Sequence, residues 1–193
     1  MRPFLSVIIQ TYNNARTLPL VLISAERYLE QRGWSYEILV ADRDSSDATP
    51  EIIRRFELLM PGIKSLEVPP NATSGIAIKS ALTAARGNWR AIISAENTAH
   101  IDEFEKALHR LQNGSDIAVG EHYGLQLYQK FYRILHNLIV SPATPKICVI
   151  SDKASEKLLP HTGGTGDKWL PEMLKLSKQR GLKIKKFPVC YNL

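Results

Sequence analysis

The stretch Trp89–Asn97, WRAIISAEN, joins a short apolar run to a polar cluster, and the rest of the chain is arranged around it. Ala91–Ile93 is too brief for a helix and is typical of a strand buried on both faces. Ser94–Asn97 follows at once, before a new helical pattern begins. In an open parallel sheet, ligands gather at the carboxyl ends of the strands. An ordinary polar turn explains this cluster taken alone, so the neighbouring segments have to decide.

The composition of the chain suits one domain with one sizeable core. Its 193 residues are 44% apolar, and no apolar run approaches the roughly 18 residues of a membrane span. Met1–Leu5 runs directly into a strand, which leaves no room for a signal peptide. Cys148 and Cys190 both lie in apolar, strand-like runs. We therefore expect a cytoplasmic protein with reduced, buried thiols, and a single disulfide between them stays open.

The net charge of +6 comes largely from basic residues late in the chain, between Lys175 and Lys186. The simplest explanation is a solvated helix face and strand edge. The functional explanation is attraction to an anionic membrane surface or to a phosphate-bearing substrate. No basic run is interleaved with stacking aromatic residues, which argues against nucleic acid as a partner. A cytoplasmic location that is peripheral to a membrane remains compatible with these features.

Strand and helix patterns alternate four times in the first 120 residues, as in a parallel α/β sheet with right-handed crossovers. Thr49 is predicted to cap the second helix with Pro50 after it, and Arg86-Gly87 to end the third. The last third is less regular and contains the Gly-rich loop His161–Asp167. Strands are predicted at 5–10, 36–41, 64–68, 91–93, 117–120, 146–150 and 183–189, and helices at 16–32, 51–59, 74–85, 101–112, 125–140, 154–159 and 169–180.

Three polar turns are expected to meet at one edge of the sheet: Thr11–Asn14, Asp42–Asp47 and Ser94–Asn97. Every strand needs a turn and polar turns are common, so convergence alone is weak support for a site. No Gly-rich fingerprint follows the first strand, and neither a P-loop nor a nucleophile elbow occurs. These absences argue against a dinucleotide dehydrogenase, a P-loop nucleotidase and an α/β-hydrolase.

Five blocks of the sequence resemble family 2 glycosyltransferases, in the order that the family has them. LSVIIQTYNN resembles L-S-V-V-I-P-x-Y-N-E, and EILVADRDSSDAT resembles E-I-I-V-V-D-D-G-S-T-D-G-T. NATSGIAIKSALTAARGNWRAIISAEN is similar to the family segment that ends in D-A-D, and DIAVGEHYG to D-V-V-I-G-S-R-Y. KWLPEMLKLSKQRGLKIKKFPVCY resembles the closing block. The resemblance spans nearly the whole chain and is closest to the dolichol-phosphate mannose and glucose synthase branch.

The resemblance implies a GT-A fold, an α/β architecture whose mainly parallel, Rossmann-like sheet is flanked by helices. It implies one domain over 1–193, with a nucleotide-binding half at 1–120 and an acceptor-side half at 121–193. The donor is expected to be a UDP- or GDP-linked sugar, and the acceptor a polyprenyl phosphate at a membrane surface. The expected donor-binding residues are Thr11, Tyr12, Asn13, Asn14, Asp42, Asp44, Ser74, Lys79, Ser94, Ala95 and His122. The expected catalytic residues are Glu96, Asp167 and Glu172, and Glu96 is also the expected ligand of a weakly held Mg²⁺ or Mn²⁺.

The sequence departs from the family pattern at four carboxylate positions. Asn14 replaces a glutamate, Arg43 and Ser94 each replace an aspartate, and Pro142 begins the segment that replaces the family's D-P-x-S-G-F-R block. Asp44 stands in place of a glycine and Glu96 in place of the second aspartate of D-x-D. Serine is a poorer ligand than carboxylate for a hard cation. Two hypotheses follow: a hexosyltransferase with a degraded metal motif, or a catalytically silent GT-A domain that binds nucleotides or partners.

Overall fold

The computed structural model describes residues 2–96, 101–122, 147–161, 166 and 169–189, without the side chains of Asp102, Glu121 and His122. The strands are β1 (Leu5–Thr11), β2 (Tyr36–Asp42), β3 (Ile63–Leu66), β4 (Trp89–Ser94), β5 (Ile117–His122), β6 (Ile147–Ser151) and β7 (Ile184–Val189). The helices are α1 (Leu18–Gln31), α2 (Thr49–Leu59), α3 (Ser74–Ala84), α4 (Phe104–Gln112), α5 (Asp152–Leu158) and α6 (Trp169–Gln179). Short 3₁₀ turns at Ile101–Glu103 and Leu159–His161 precede α4 and follow α5.

The described strands form one sheet in the order β3-β2-β1-β4-β6-β5-β7. β6 is antiparallel to both of its neighbours, and all other pairs are parallel. The ends of β1, β2 and β4 therefore lie along one side of the sheet, here called the carboxyl edge, and their starts lie along the opposite amino edge. The predicted α/β architecture with a mainly parallel sheet is confirmed.

The central strands β1, β2 and β4 are buried on both faces, as their continuous apolar runs predict. One hydrophobic cluster joins the sheet to α1, α2 and α4, and contains Leu22, Ile53 and Phe104. A second cluster joins the other face to α3, α5 and α6, and contains Ile78 and Trp169. Helices on both faces thus exclude water from the sheet, which leaves its edges as the places where polar groups meet ligands.

Two predicted helix ends were wrong. Thr49 is not the cap of α2 but its first residue, because the side chain of Asp47 accepts the Thr49 amide at 2.9 Å and Ala48 is the cap position. Gly87 does not end α3, whose cap is Ala85 in an extended conformation. Gly87 instead lies against β1, where a Cβ atom would stand 2.4 Å from the backbone nitrogen of Ser6. A close approach of two backbones, rather than a helix end, requires glycine there.

Several predictions fall outside the described residues: the helix at 125–140, the segment from Pro142, Cys190 and most of the loop His161–Asp167. Cys148 lies in β6 as a buried, free thiol, and burial raises its pKa to about 12. In the described ranges, no helix is both long and apolar enough to cross a bilayer. The division into halves at 1–120 and 121–193 stays a prediction.

Candidate functional site

The carboxyl edge brings the ends of three strands level with one another. β1 lies between β2 and β4, and the register sets Thr11 beside Asp42 and Gln10 beside Ser94. Past the ends of the strands, the Arg43 amide donates to the Thr11 carbonyl at 3.0 Å, and the Ala95 amide donates to the Gln10 carbonyl at 2.9 Å. The predicted convergence of the three polar turns is therefore observed for Thr11–Asn14, Asp42–Asp47 and 94–96.

Side chains join the loop after β1 to the loop after β2. Asn13 has a positive φ of 52°, its amide donates to the Ser45 hydroxyl at 2.8 Å, and its side-chain carbonyl accepts the Ser46 amide at 2.8 Å. The Asn14 amide donates to the buried hydroxyl of Thr49 at 3.0 Å. These bonds link residues more than thirty positions apart, so the two loops form one polar wall.

The side chain of Asp47 adds further hydrogen bonds between the same two loops. Its carboxylate accepts the amides of Ala15 at 3.0 Å and Thr49 at 2.9 Å. The hydrogen bond from the Thr49 side chain, followed by these amides, holds the pKa of Asp47 below its usual range. Ser45, Asp47 and Thr49 position the candidate site, and none of them stood among the predicted donor-binding residues.

The side chain of Asp42 is held within its own turn. Its carboxylate accepts the amide of Ser45 at 3.1 Å and the hydroxyl of the same residue. Asp44 is exposed and has a positive φ of 65°, in the region that glycine enters without strain. That conformation accounts for the glycine at this position in the family pattern. Of Asp42 and Asp44, it is Asp42 whose carboxylate is held by described hydrogen bonds.

Tyr12 and Arg43, one from each of the two loops of this wall, stack on one another. The Arg43 guanidinium lies 5.0 Å from the centre of the Tyr12 ring, and Tyr12 remains 45% exposed. A cation over an aromatic face is attracted by the electrons of the ring. The arginine that replaces a family aspartate therefore holds an exposed aromatic ring at the carboxyl edge, a role that the sequence did not predict.

The end of β4 carries the residues expected at the metal motif. The hydroxyl of Ser94 accepts the Glu96 amide at 3.2 Å, Ala95 is buried, and Glu96 is exposed. The start of α3 reaches the same edge, because the Ser74 hydroxyl donates to the Gln10 side chain at 2.8 Å. Lys79 lies further along α3, roughly 7.5 Å from Ser74 along the helix axis at 1.5 Å per residue.

The described carboxylates do not form a metal cage. Within the described ranges, no group of three or more His, Cys, Asp or Glu side chains is placed to hold an ion. The end of β4 offers one carboxylate, Glu96, since Ser94 supplies only a hydroxyl. Magnesium is commonly held by one or two carboxylates together with substrate phosphates. This donor set therefore fits a divalent cation that arrives with a nucleotide, and does not fit one bound by protein alone.

The remaining predicted site residues belong to the second half of the chain. Glu172 is exposed in the first turn of α6. Because α6 leads into β7, which is parallel to β5, the helix begins on the side of the carboxyl edge. No described contact joins Glu172 to the three loops. β5 ends at His122, so its backbone reaches that edge, while the His122 side chain and all of Asp167 lie outside the described residues.

Comparison with known proteins adds a family and a fold. Residues 6–176 match the family described as Glycosyl transferase family 2. A dolichyl-phosphate beta-glucosyltransferase of Trichomonas vaginalis is 27% identical over 98% of this chain, and a dolichol-phosphate mannosyltransferase of Pyrococcus furiosus is 30% identical over 78%. The chain spans 66% of the first relative and the match covers 44% of the second. The crystal structure of glucosyl-3-phosphoglycerate synthase from Mycobacterium tuberculosis in complex with Mn²⁺, UDP and glucosyl-3-phosphoglycerate superposes with a TM-score of 0.72 at 18% identity. The match covers 99% of this chain and 72% of that one.

Proposed function

The chain belongs to glycosyl transferase family 2 and has the GT-A fold, and on that premise we propose that it binds a nucleoside diphosphate sugar at the carboxyl edge and transfers the hexose to an acceptor. The observation that carries the proposal is the wall built by Asn13, Ser45 and Asp47 where β1 and β2 end. It fixes two loops beside the end of β4, at the place where open α/β sheets bind ligands.

In this proposal the nucleoside lies against the loops after β1 and β2. The exposed ring of Tyr12, held from one side by Arg43, offers a flat apolar surface for a base. The Asp42 carboxylate accepts two hydrogen bonds from Ser45 and keeps further lone pairs for ribose or base N–H and O–H donors. Thr11, Asn13 and Asn14 contribute mainly by holding the backbone of this wall.

The diphosphate then lies toward Ser94 and Glu96. A divalent cation held by Glu96 and the phosphate oxygens would neutralise the charge that develops on the departing diphosphate. The residues of this chain supply the exposed Glu96 carboxylate and an ordered turn, in which the Ser94 hydroxyl fixes the Glu96 amide. Glu172, Asp167 and His122 remain candidates for contact with the sugar or the acceptor.

A polyprenyl phosphate is the acceptor class that we propose. The curated relatives named above are a dolichyl-phosphate glucosyltransferase and a dolichol-phosphate mannosyltransferase. The chain carries a net charge of +6, and Lys175, Lys178, Lys183 and Lys185 are exposed on α6 and around the start of β7. Exposed lysines attract an anionic membrane surface by about 1 kcal/mol each. Peripheral attachment would bring the enzyme to a lipid-borne acceptor.

Two measurements test the proposal in sequence. Calorimetry with UDP, GDP and their glucose and mannose conjugates should show binding of micromolar strength or weaker, no more than about 8 kcal/mol. Asp42→Ala should weaken that binding, while Glu51→Gln, which removes an exposed charge paired with Arg55 on α2, should not. Absence of binding for every nucleotide at millimolar concentration would overturn the proposal.

Turnover is measured separately, as release of nucleoside diphosphate in the presence of Mg²⁺ or Mn²⁺ and a short-chain polyprenyl phosphate. Transfer to this lipid, and none to its dephosphorylated alcohol, would support the acceptor class. Binding without any turnover would favour the silent, nucleotide-binding GT-A domain, because Ser94 leaves the metal with a single carboxylate.

A further inference from the structure

A cleft of about 600 Å³ opens at the amino edge of the sheet, on the side opposite the candidate donor site. Three arginines line it: Arg2 before β1, Arg86 before β4, and Arg90 within β4. Leu82, Leu159 and Pro160 supply apolar wall. Arg90 and Ser94 lie on one strand, roughly 13 Å apart at 3.3 Å per residue. The cleft is therefore separate from the loops that we assign to the nucleotide.

Arg90 is the unusual member of this group. It is only 5% exposed, and its Nη1 donates to the Leu82 carbonyl at 3.2 Å and to the Ser155 hydroxyl at 2.6 Å. Its Nε is buried and has no hydrogen-bond partner among the described residues. Burial lowers the pKa of this guanidinium from its ordinary value. A buried charge that meets only neutral acceptors is costly, and a bound anion would offset that cost.

The other two arginines are fixed in place by their own carboxylates. Arg2 pairs with Asp152 at 2.6 Å, and Arg86 pairs with the buried Glu37 at 3.4 Å. A guanidinium has five N–H donors, so each of these pairs leaves donors for a further acceptor. The two arginines are therefore pre-oriented at the rim of the cleft at little further entropic cost.

Glu156 is the one acidic residue in the lining, and it bears on the charge of the cleft. It is exposed on α5 and makes no hydrogen bond or ion pair within the described structure. Its field favours the charged form of Arg90, as does that of Asp152, while Arg2 opposes it. Asp152 and Glu37 neutralise Arg2 and Arg86, so Arg90 is the lining arginine that has no carboxylate partner among the described residues.

We propose that this cleft binds a small organic anion, with its phosphate or carboxylate head against Arg90 and the rim arginines and its apolar body against Leu82, Leu159 and Pro160. The head group matches the fork of guanidinium donors, which suits planar or tetrahedral oxyanions. The volume of the cleft exceeds that of an inorganic ion, and the apolar wall favours an anion that also has an apolar group.

The test is a titration of the ¹⁵N-labelled protein with phenyl phosphate, benzoate, inorganic phosphate and neutral benzyl alcohol. We expect phenyl phosphate or benzoate to shift the amides of Thr83, Ala85 and Leu159, with benzyl alcohol leaving them unmoved. Whichever of phenyl phosphate and benzoate binds more tightly identifies the preferred head group, and inorganic phosphate should bind several-fold more weakly than that ligand. Shifts confined to the carboxyl edge, or none at the cleft up to about 10 mM, would overturn the proposal.

Two variants make the site assignment specific. Glu156→Gln removes the opposing charge and should tighten binding several-fold, whereas the matched variant Glu67→Gln, at an exposed glutamate after β3, should not change it. Arg90→Gln should abolish the shifts, and Arg90→Lys should retain part of them. If Arg90→Gln does not fold, the Glu156→Gln comparison decides alone: unchanged affinity there refutes the cleft as the site. Calorimetry with UDP or GDP on Glu156→Gln should match wild type, which separates this inference from the proposed function.

Discussion

The Asp47 carboxylate accepts the backbone amide of Ala15 at 3.0 Å, and so ties the loop after β2 to the loop after β1. The same carboxylate accepts the amide of Thr49 at the start of α2. One side chain thus orders two loops and a helix end. The arrangement is local to the carboxyl edge, so its loss should affect nucleotide binding as well as folding.

Asp47→Ala is therefore expected to lower the melting temperature and to weaken nucleotide binding several-fold, because both amides lose their acceptor. Glu51→Gln is the control, since it changes an exposed carboxylate on α2 that pairs with Arg55. Thermal melts and calorimetry on both variants measure the two effects. Equal behaviour of the two variants would contradict the role of Asp47.

Acid should remove the same stabilisation. The pKa of Asp47 is lowered in the folded state, so its contribution is present above the unfolded-state pKa and is lost as the pH falls through the lower folded-state value. Wild type should therefore lose stability more steeply than Asp47→Ala as the pH falls below about 4, the usual pKa of an aspartate. Chemical denaturation at a series of pH values measures this, and parallel curves would refute it.

The metal should depend on the nucleotide. Glu96 is the only carboxylate at the end of β4, so Mn²⁺ affinity without nucleotide is expected to be negligible and to rise when UDP or GDP is present. Ser94→Asp adds a second carboxylate and should tighten Mn²⁺ binding by about tenfold or more, roughly 1.4 kcal/mol. Glu96→Ala should abolish what remains. Paramagnetic relaxation titrations measure all three proteins, and tight nucleotide-free binding unaffected by Glu96→Ala would place the metal elsewhere.

Gly87→Ala is expected to destabilise the protein by about 3 kcal/mol, at the upper end for overpacking. The added Cβ would stand 2.4 Å from the Ser6 backbone nitrogen and 2.7 Å from the Ser6 hydroxyl. That hydroxyl accepts the Gly87 amide and donates to the buried Glu37, so the neighbour cannot move freely. Gly181→Ala is the control for a glycine substitution without a clash. A Cβ atom at Gly181 would meet nothing within 4 Å, so any cost there comes from the positive φ of 70°. Urea unfolding should show the larger loss for Gly87→Ala.

The thiol of Cys148 should be unreactive in the native protein. It is buried in β6 between β4 and β5, and its pKa is raised to about 12. In a Cys190→Ser background, alkylation by iodoacetamide near pH 8 should follow the rate of unfolding.

The same burial makes stability depend on alkaline pH. Because the folded-state pKa of Cys148 is raised, the contribution of the thiol to stability is fully present below the unfolded-state pKa of about 8.5 and declines as the pH rises toward the folded-state pKa. Cys148→Ala should lack this alkaline decline.

Much of the sheet could be predicted from sequence because β1, β2 and β4 are apolar runs whose ends are marked by polar turns. The direction of β6 could not, since the run Ile147–Ser151 has the same pattern read either way. Gly87 was assigned to a helix end because its neighbour in β1 is distant in sequence. Ser45, Asp47 and Thr49 were missed for the same reason, because partners such as Asn13 lie more than thirty positions away along the chain and meet them only in the fold.

The family resemblance predicted that the site lies at the carboxyl edge, but it did not predict what the residues that differ from the family pattern do there. Arg43 looked like the loss of a carboxylate, whereas in the structure it supports the Tyr12 ring. Asp44 has the positive φ that a glycine would adopt. The sequence did indicate one contact of the polar wall. Asp47 stands shortly before Thr49-Pro50, and an aspartate in that position commonly accepts amides at the start of a helix. What no pattern supplied was the partner in the other loop.

The reversed direction of β6 has a consequence for how such a protein can diversify. β5 ends, and β6 begins, at the carboxyl edge, because the two strands are antiparallel neighbours. A change in length between the end of β5 and the start of β6 need not alter any of the described strand pairings. The three strands that position the proposed donor site and the connection from β5 to β6 can therefore change independently of one another during evolution.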